Sequence, residues 1–216
     1  MNSTYKPTSY VPMPKRIATR PKDSRGFPIP WFVEFIDGEP DFRIADRVKL
    51  AIALRRDLCW ICGEPMGRYL TFPIGPMCTV NRVSAEPPSH FECAEYAARV
   101  CPFLTQPRMR RNEKDLPDNE APAGLMIKRN PGVVALWTTK SYKLLRVENG
   151  VLLQLGEPQL VLWYCQGRTA TRKEVEESIN SGLPALETIA RAEGEDSLHE
   201  LWQQTEEARK HLPPAA

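Results

Sequence analysis

The sequence predicts an α+β fold with antiparallel strands in its middle and helices in its C-terminal region. Five of the six cysteines fall within residues 59–101, whereas buried structural cysteines usually scatter along a chain. Four strand-like runs follow within residues 133–165, and the segments between them are too short for the crossovers that parallel pairing requires. From Thr171 onward, apolar residues recur at helical spacing instead. Together these observations favour an α+β fold with one cysteine-rich unit.

The composition is that of a globular protein with a buried core. The chain has 216 residues, of which 42% are hydrophobic and 26% are charged. No run approaches the roughly 20 apolar residues that span a bilayer, and the first residues lack the apolar centre of a secretory signal. We therefore expect a cytoplasmic location and no membrane partner.

Three regions follow from the composition along the chain. Residues 1–26 hold four prolines and six Lys or Arg, which predicts a basic arm that is either mobile or laid over the domain. An α+β domain is expected over residues 27–170, and an acidic helical region over residues 171–216. The charge follows this order, with a net of +6 over residues 1–114 and −5 over residues 172–216. The N-terminal half thus favours an anionic partner.

A β-hairpin and a helix are expected at the start of the domain. Residues 31–36 are aromatic and β-branched, and residues 41–44 form a second short run after the turn signal Asp37-Gly38. Asp46 is the predicted N-cap of a helix that continues to Arg56.

Two cysteines then form a predicted metal knuckle. The run Cys59-Trp-Ile-Cys62-Gly63 has two residues between the thiols, a spacing at which both thiolates reach one ion, and the glycine permits the tight turn. In an intracellular protein such clustering favours a metal over disulfide bonds. A hairpin is expected next, with residues 69–72 returning at residues 77–80.

The second pair of ligands is expected at the start of another helix. In the run Ser89-His90-Phe91-Glu92-Cys93, the serine is the predicted N-cap and the glutamate completes a capping box. His90 and Cys93 then lie in the first helical turn at i and i+3, on one face. With Cys59 and Cys62 they give a predicted tetrahedral site of three sulfurs and one nitrogen for a structural Zn²⁺.

The other cysteines are weaker candidates. Cys78 lies between the two ligand pairs and is the alternative to His90, which would give a four-cysteine site. Cys101 is eight residues beyond Cys93 on the same predicted helix, about 12 Å away at 1.5 Å per residue, so the two cannot share an ion. Cys101 and Cys165 are therefore expected to be small buried apolar residues.

A knuckle, a hairpin and a helix whose first turn supplies the last two ligands resemble the treble-clef zinc fold. Parts of the chain also resemble a set of uncharacterised bacterial and phage proteins with a predicted zinc-binding segment. The similar runs are residues 59–63, 74–78, 86–97 and 101–104. The resemblance reaches from about Trp31 to Trp137 and implies a small zinc-bearing protein. For a phage-borne gene it also suggests interference with a host system.

An antiparallel meander and helices complete the predicted fold. The meander's strands are expected at residues 133–138, 143–147, 151–155 and 159–164, with Asn149-Gly150 as a hairpin signal. Three short helices should follow. Thr171 and Glu174 form a capping box, Gly182 ends the first helix, Pro184 begins the second, and the third covers residues 195–211.

The densest basic run comes directly after the cysteine-rich unit. Its cations are the candidate contacts to nucleic-acid phosphates: Arg108, Arg110, Arg111 and Lys114. Four more arginines are expected to extend the patch: Arg55, Arg56, Arg68 and Arg82. The alternative is a solvated loop that binds nothing.

The candidate residues favour binding over catalysis. A nuclease of the HNH type, a treble-clef enzyme, needs a histidine base beside a catalytic metal. Of the three histidines, one is assigned to zinc, and His199 and His211 lie in the last predicted helix. We therefore expect a non-enzymatic, zinc-stabilised protein that contacts nucleic acid. A protein-interaction or host-interference factor and a metal-dependent nuclease are the alternatives.

Overall fold

The computed structural model describes residues 11–107, 109, 111–114, 116, 122–125, 127 and 129–215. Helices and antiparallel strands alternate in the first part of the chain, and two long helices follow the last strand. The helices are α1 (Lys15–Ala18), α2 (Arg47–Arg56), α3 (Pro76–Asn81), α4 (Phe91–Val100), α5 (Pro102–Thr105), α6 (Arg172–Glu193) and α7 (Glu195–Arg209).

The strands form three antiparallel sheets. Their bounds are β1 (Val33–Ile36), β2 (Glu39–Ala45), β3 (Leu70–Ile74), β4 (Val83–Ser84), β5 (Val133–Thr139), β6 (Tyr142–Val147), β7 (Gly150–Leu155), β8 (Pro158–Cys165) and β9 (Arg168–Thr169). The sheet orders are β1-β2, β3-β5-β8-β9 and β4-β7-β6. The predicted α+β class, with antiparallel sheets and C-terminal helices, is confirmed.

The predicted N-terminal hairpin and helix are also confirmed. β1 pairs with β2 across a turn in which Asp37 and Gly38 have φ values of 51° and 85°, the left-handed values that a two-residue hairpin turn requires. The Asp46 carboxylate accepts hydrogen bonds from the N–H groups of Val48 and Lys49, each 2.9 Å long, and so caps α2.

The four central strands are present, but they do not form the predicted meander. β5 pairs with β8, from Val133 opposite Cys165 to Thr138 opposite Leu160. β6 and β7 instead form a hairpin in the other sheet, beside β4. Every residue of β5 is buried, as expected of a central strand with neighbours on both sides, whereas the exposed β6 lies at an edge. Residues 133–165 therefore form the strand pair β5–β8, and the β6–β7 hairpin lies between these two strands in the sequence.

The predicted return strand over residues 77–80 is wrong, because these residues lie in α3. Pro76 occupies the first turn of α3, where its missing N–H costs no helical hydrogen bond. β3 pairs with β5 instead, with Phe72 opposite Trp137. The segment between the two predicted ligand pairs is thus β3–α3–β4 and not a hairpin.

The C-terminal region contains two helices and not the three predicted. The capping box of Thr171 and Glu174 is confirmed. However, α6 continues through Gly182 and Pro184, because its apolar stripe keeps helical spacing across the proline. The members of the stripe are Val175, Ile179, Leu183, Leu186 and Ala190.

Gly182 has a packing role inside α6. A Cβ atom at this position would lie 2.6 Å from Met77 Sδ and 2.6 Å from Arg129 Nη2. The glycine therefore allows α6 to approach α3 closely. A residue that suggested a helix end in the sequence is in fact a helix–helix contact.

The four-stranded sheet is covered on both faces. On one face, Trp137 and Trp163 lie in the core with α6 and α7, and their indole N–H groups donate to the carbonyls of Gly156 and His211 at 3.0 and 2.9 Å. On the other face, α4 packs through two alanines. That cluster contains Ala94, Ala98, Val134, Leu136 and Tyr164. The sheet thus fixes the helix whose start carries the second ligand pair.

Replacing Pro184 with alanine is expected to stabilise the protein by about 1–3 kcal/mol. Alanine restores the N–H that can bond to the carbonyl of Asn180, and it has a far higher helix propensity. Urea unfolding measures the change, and Pro214→Ala, outside any helix and exposed, is the control that should give little gain. A loss of stability in Pro184→Ala would indicate a helix break at this position.

Candidate metal centre

Four side chains meet in the interior of the N-terminal half. Cys59, Cys62, His90 and Cys93 are all buried, and their ligand atoms all lie within 4.8 Å of one another. The first two follow α2, and the other two come from the beginning of α4. The structure therefore brings together the four residues that the sequence predicts as zinc ligands.

The knuckle is shaped by its own backbone. The Gly63 N–H donates to the Cys59 carbonyl, and the Cys59 N–H donates to the Glu64 carbonyl, both at 2.8 Å. Gly63 has a φ of +81°, and a Cβ there would lie 2.6 Å from the Trp31 ring. Both the backbone conformation and the available space therefore require glycine.

The start of α4 differs from the predicted capping box. His90, and not Ser89, is the N-cap residue, and no side chain caps the helix. Ser89 exchanges two backbone hydrogen bonds of 2.8 and 3.0 Å with Thr71, so it remains extended, and its buried hydroxyl has no partner among the described residues. Glu92 forms an ion pair with Arg16 at 3.3 Å. The predicted Ser89–Glu92 box is wrong, although the start of α4 still carries both predicted ligands.

The imidazole of His90 is oriented for metal binding through Nδ1. Its Nε2 lies 3.0 Å from the Pro65 carbonyl, which can only accept, so Nε2 carries the proton. Nδ1 lies 3.4 Å from Cys62 Sγ and 4.0 Å from Cys93 Sγ. Zn–S bonds of about 2.3 Å and a Zn–N bond of about 2.0 Å give a tetrahedral S···N edge of about 3.5 Å. The donor set and its spacing therefore fit Zn²⁺.

The three thiols favour a cation at their centre. The pKa of Cys59 lies far below its usual range, because the Cys62 and Cys93 thiols donate to its sulfur. The N–H groups of Cys62 and His90 also point to this sulfur, at 3.5 and 3.4 Å. The same contact raises the pKa of Cys62 to about 11 and that of Cys93 well above its usual range. Three thiolates this close together would repel one another, and a divalent cation between them offsets that repulsion. Metal binding therefore releases protons from the thiols.

The part of the N-terminal arm that contains α1 lies over the metal centre, a feature that the sequence left open. Ile17 is 2% exposed and packs with the three cysteines. Arg16 pairs with Glu64 of the knuckle at 2.6 Å and with Glu92 of α4 at 3.3 Å, so it bridges both halves of the site. The signal that could have indicated this contact is the spacing of Met13 and Ile17, which are apolar at i and i+4 within a basic stretch.

Trp60 joins the knuckle to the N-terminal hairpin. Its ring stacks on Phe32 with centroids 5.1 Å apart, and it meets Trp31 edge to face at 6.3 Å. The backbone N–H of Trp60 donates to the Pro88 carbonyl at 3.0 Å, just before α4. The residue between the first two ligands thus fixes the neighbouring elements.

The other three cysteines lie outside the cluster. Cys78 in α3 packs against the core of the four-stranded sheet, Cys101 follows α4, and Cys165 ends β8. Desolvation raises the pKa of Cys78 and of Cys165 to about 11, and it also raises the pKa of Cys101. Such thiols are poor nucleophiles at neutral pH, and none of the three lies in the group of converging donor atoms. The geometry thus favours His90 over Cys78 as the fourth ligand.

The predicted basic patch is only partly within the described residues. Arg108 and Arg110 lie outside them. Arg111 Nη2 donates to the Arg43 carbonyl at 2.8 Å, and Arg43 Nη1 donates to the Lys114 carbonyl at 2.9 Å. Hydrogen bonds from arginine side chains to backbone carbonyls therefore hold the described part of the run against β2.

The two remaining histidines lie away from the metal centre. His199 is exposed on α7, where its Nε2 lies 2.9 Å from the Gln203 side-chain nitrogen. The His211 ring meets Trp137 edge to face at 5.2 Å. Neither belongs to the cluster of candidate ligands.

Comparisons of the chain with protein-family models, with curated proteins and with solved structures find no match. Within the described residues, no helix combines the length and the apolar character needed to cross a membrane.

Cys59→Ser and Cys93→Ser are each expected to lose bound zinc and most of the thermal stability, because metal binding supplies folding free energy. Zinc per chain and the unfolding temperature measure the effect. Cys101→Ser, outside the cluster, is the matched control and should retain the metal. Metal loss in Cys78→Ser combined with metal retention in His90→Ala would contradict the ligand set.

Zinc binding near pH 8 is expected to release protons from the thiols, because contacts with the Cys59 sulfur raise the pKa of Cys62 and of Cys93. Affinity should consequently fall as the pH falls, since protons then compete for the sulfurs. Calorimetric titration in buffers of different ionisation enthalpy counts the protons. Zinc binding without proton release would contradict coordination by the thiols.

Proposed function

We propose that this protein is a non-enzymatic, zinc-stabilised binding protein that contacts nucleic acid. The observation that supports a structural zinc is the donor set, in which three cysteines and one histidine are buried and converge on one point. Four protein donors complete a tetrahedron, whereas a catalytic zinc keeps one position open for water or substrate. The ion is then a scaffold, and binding takes place on the surfaces around it.

The proposed zinc unit is treble-clef-like at its two ends. The knuckle over residues 59–63 and the beginning of α4 supply two ligands each, in the treble-clef manner. Between them, β3–α3–β4 takes the place of the hairpin. The likeness therefore concerns how the ion is held and not the whole unit.

Charge supports nucleic acid as the partner. The net charge of +6 over residues 1–114 attracts phosphates, and that of −5 over residues 172–216 repels them. The metal centre lies within the positive part. A cytoplasmic location, where thiols stay reduced, belongs to the same proposal.

A protein adaptor is the second candidate. Trp202 is 49% exposed on α7, a helix whose first turn contains Glu195 and Asp196. An exposed tryptophan on an acidic helix favours a partner with an apolar pocket and a basic rim. A host-interference factor of phage origin would belong to this class.

A metal-dependent nuclease is the third candidate and has less support. General-base chemistry needs a histidine beside a second metal. Among the described residues, His199 and His211 both lie away from the cluster, and His90 is a proposed ligand.

Fluorescence anisotropy with labelled oligonucleotides tests the proposed partner. The zinc-loaded protein should bind at low salt, and its affinity should fall steeply as salt rises, because bound counterions are released from the phosphates. An absence of binding to both single and double strands at low salt would refute the nucleic-acid partner.

The same samples test for catalysis. Plasmid DNA incubated with Mg²⁺ or Mn²⁺ should remain intact. Cleavage that a single substitution in this protein abolishes would overturn the non-enzymatic proposal. Partners that persist in a pull-down after nuclease treatment would favour the adaptor over the nucleic-acid partner.

A further inference from the structure

Several exposed cations without a carboxylate partner lie on chain segments that meet near the start of β3. Many described Lys and Arg side chains form ion pairs, as Arg82 does with Glu157 and Arg168 does with Glu174. Arg82, which the sequence places in the basic patch, therefore has a carboxylate partner. Among the described exposed cations that form neither an ion pair nor a side-chain hydrogen bond, four lie on segments that the backbone brings together: Arg55, Arg56, Arg68 and Lys140. Others of this kind, such as Lys15, Lys22, Lys143 and Arg191, lie on other segments.

Backbone contacts bring the segments that carry the first four cations together. The Met66 N–H donates to the Asp57 carbonyl at 2.7 Å, which joins the end of α2 to the segment before β3. The first residue of β3 lies opposite the last residue of β5, so the chain before β3 lies beside the chain after β5. As a result, Lys140 Nζ lies 5.8 Å from the centre of the Tyr69 ring.

An exposed tyrosine therefore lies among the cations. Tyr69 is 51% exposed, follows Arg68 directly and contacts Lys140. We call the set formed by these residues and the two arginines at the end of α2 the basic-tyrosine surface. Its members are Arg55, Arg56, Arg68, Tyr69 and Lys140.

The charge of this surface calls for an anionic ligand. The dipole of α2 stabilises Arg55 and Arg56 at its C-terminal end, but it offers nothing to Arg68 and Lys140. Asp57 is an adjoining carboxylate, and it leaves most of the positive charge uncompensated. Like charges held near one another repel, which raises the electrostatic free energy of the folded protein. A polyanion with several phosphates would lower that free energy when it binds.

The tyrosine narrows the class of polyanion. An exposed aromatic ring beside cations offers a base a stacking surface while the neighbouring phosphates contact Lys and Arg. In a duplex the bases are paired and stacked inside, so that such a ring cannot reach their faces. A single strand presents both groups at once.

We propose that the basic-tyrosine surface binds single-stranded nucleic acid without sequence readout. Tyr69 stacks on a base, and Arg55, Arg56, Arg68 and Lys140 contact the flanking phosphates. This inference rests on the proposed function and assigns it a location that differs from the basic run at residues 108–114.

Anisotropy titrations of zinc-loaded full-length protein with labelled oligothymidylate test this surface. Tyr69→Ala should weaken binding about tenfold, whereas Tyr69→Phe should retain it, because stacking needs the ring and not the hydroxyl. Arg68→Gln should lower the slope of log affinity against log salt by about 0.7, the value for one phosphate contact on a single strand. Unfolding temperatures confirm that the exposed substitutions leave the fold intact.

Two matched controls lie on the C-terminal helices. Arg191→Gln removes an exposed cation from α6, and Trp202→Ala removes an exposed aromatic ring from α7. Both should bind oligothymidylate as the unmodified protein does. Losses in the controls equal to those in the surface variants would overturn the assigned location.

The outcomes separate this inference from the proposed function. Wild-type binding that no variant of the basic-tyrosine surface alters would refute the surface and keep the nucleic-acid partner. Binding to a duplex but not to oligothymidylate would also refute the single-strand inference alone. A wild-type protein that binds neither would refute both.

Discussion

The Cys59 sulfur is the point where the two halves of the metal centre meet, and the surrounding structure depends on this meeting. Two backbone N–H groups, one from the knuckle and one from the start of α4, point at that sulfur. Cys62 and His90 are separated by 28 positions, so closing this loop costs chain entropy that a few weak N–H···S bonds do not offset. Coordination of one cation by the four side chains would supply the missing free energy.

The metal centre connects elements that otherwise share little contact. Trp60 stacks on Phe32 of the segment before β1, Arg16 of α1 bridges the knuckle and α4, and α4 rests on the four-stranded sheet. A two-stranded hairpin and a four-residue helix are too small to be stable alone. Their order follows from packing against the centre. The proposed binding surface depends on the same arrangement, because β3 and the end of α2 adjoin the knuckle.

Local chemistry made the ligands predictable, whereas the pairing of distant segments did not follow from the sequence. The spacing of Cys59 and Cys62 and that of His90 and Cys93 are short-range signals, and the structure brings all four together. Ser89 was predicted as a cap, but a long-range bridge to Thr71 holds it extended. Two other errors have the same origin.

Residues 77–80 were predicted to form a strand because the short segment suggested a hairpin, yet β3 finds its partner in β5, far along the chain. Gly182 and Pro184 suggested a helix end, yet the apolar stripe of α6 continues past them against the core.

The most direct test of the central claim is X-ray absorption at the zinc edge of the purified protein. We expect three sulfur neighbours at about 2.3 Å and one nitrogen at about 2.0 Å. A shell of four sulfurs, or one with oxygen in place of sulfur, would contradict the Cys59, Cys62, His90 and Cys93 site.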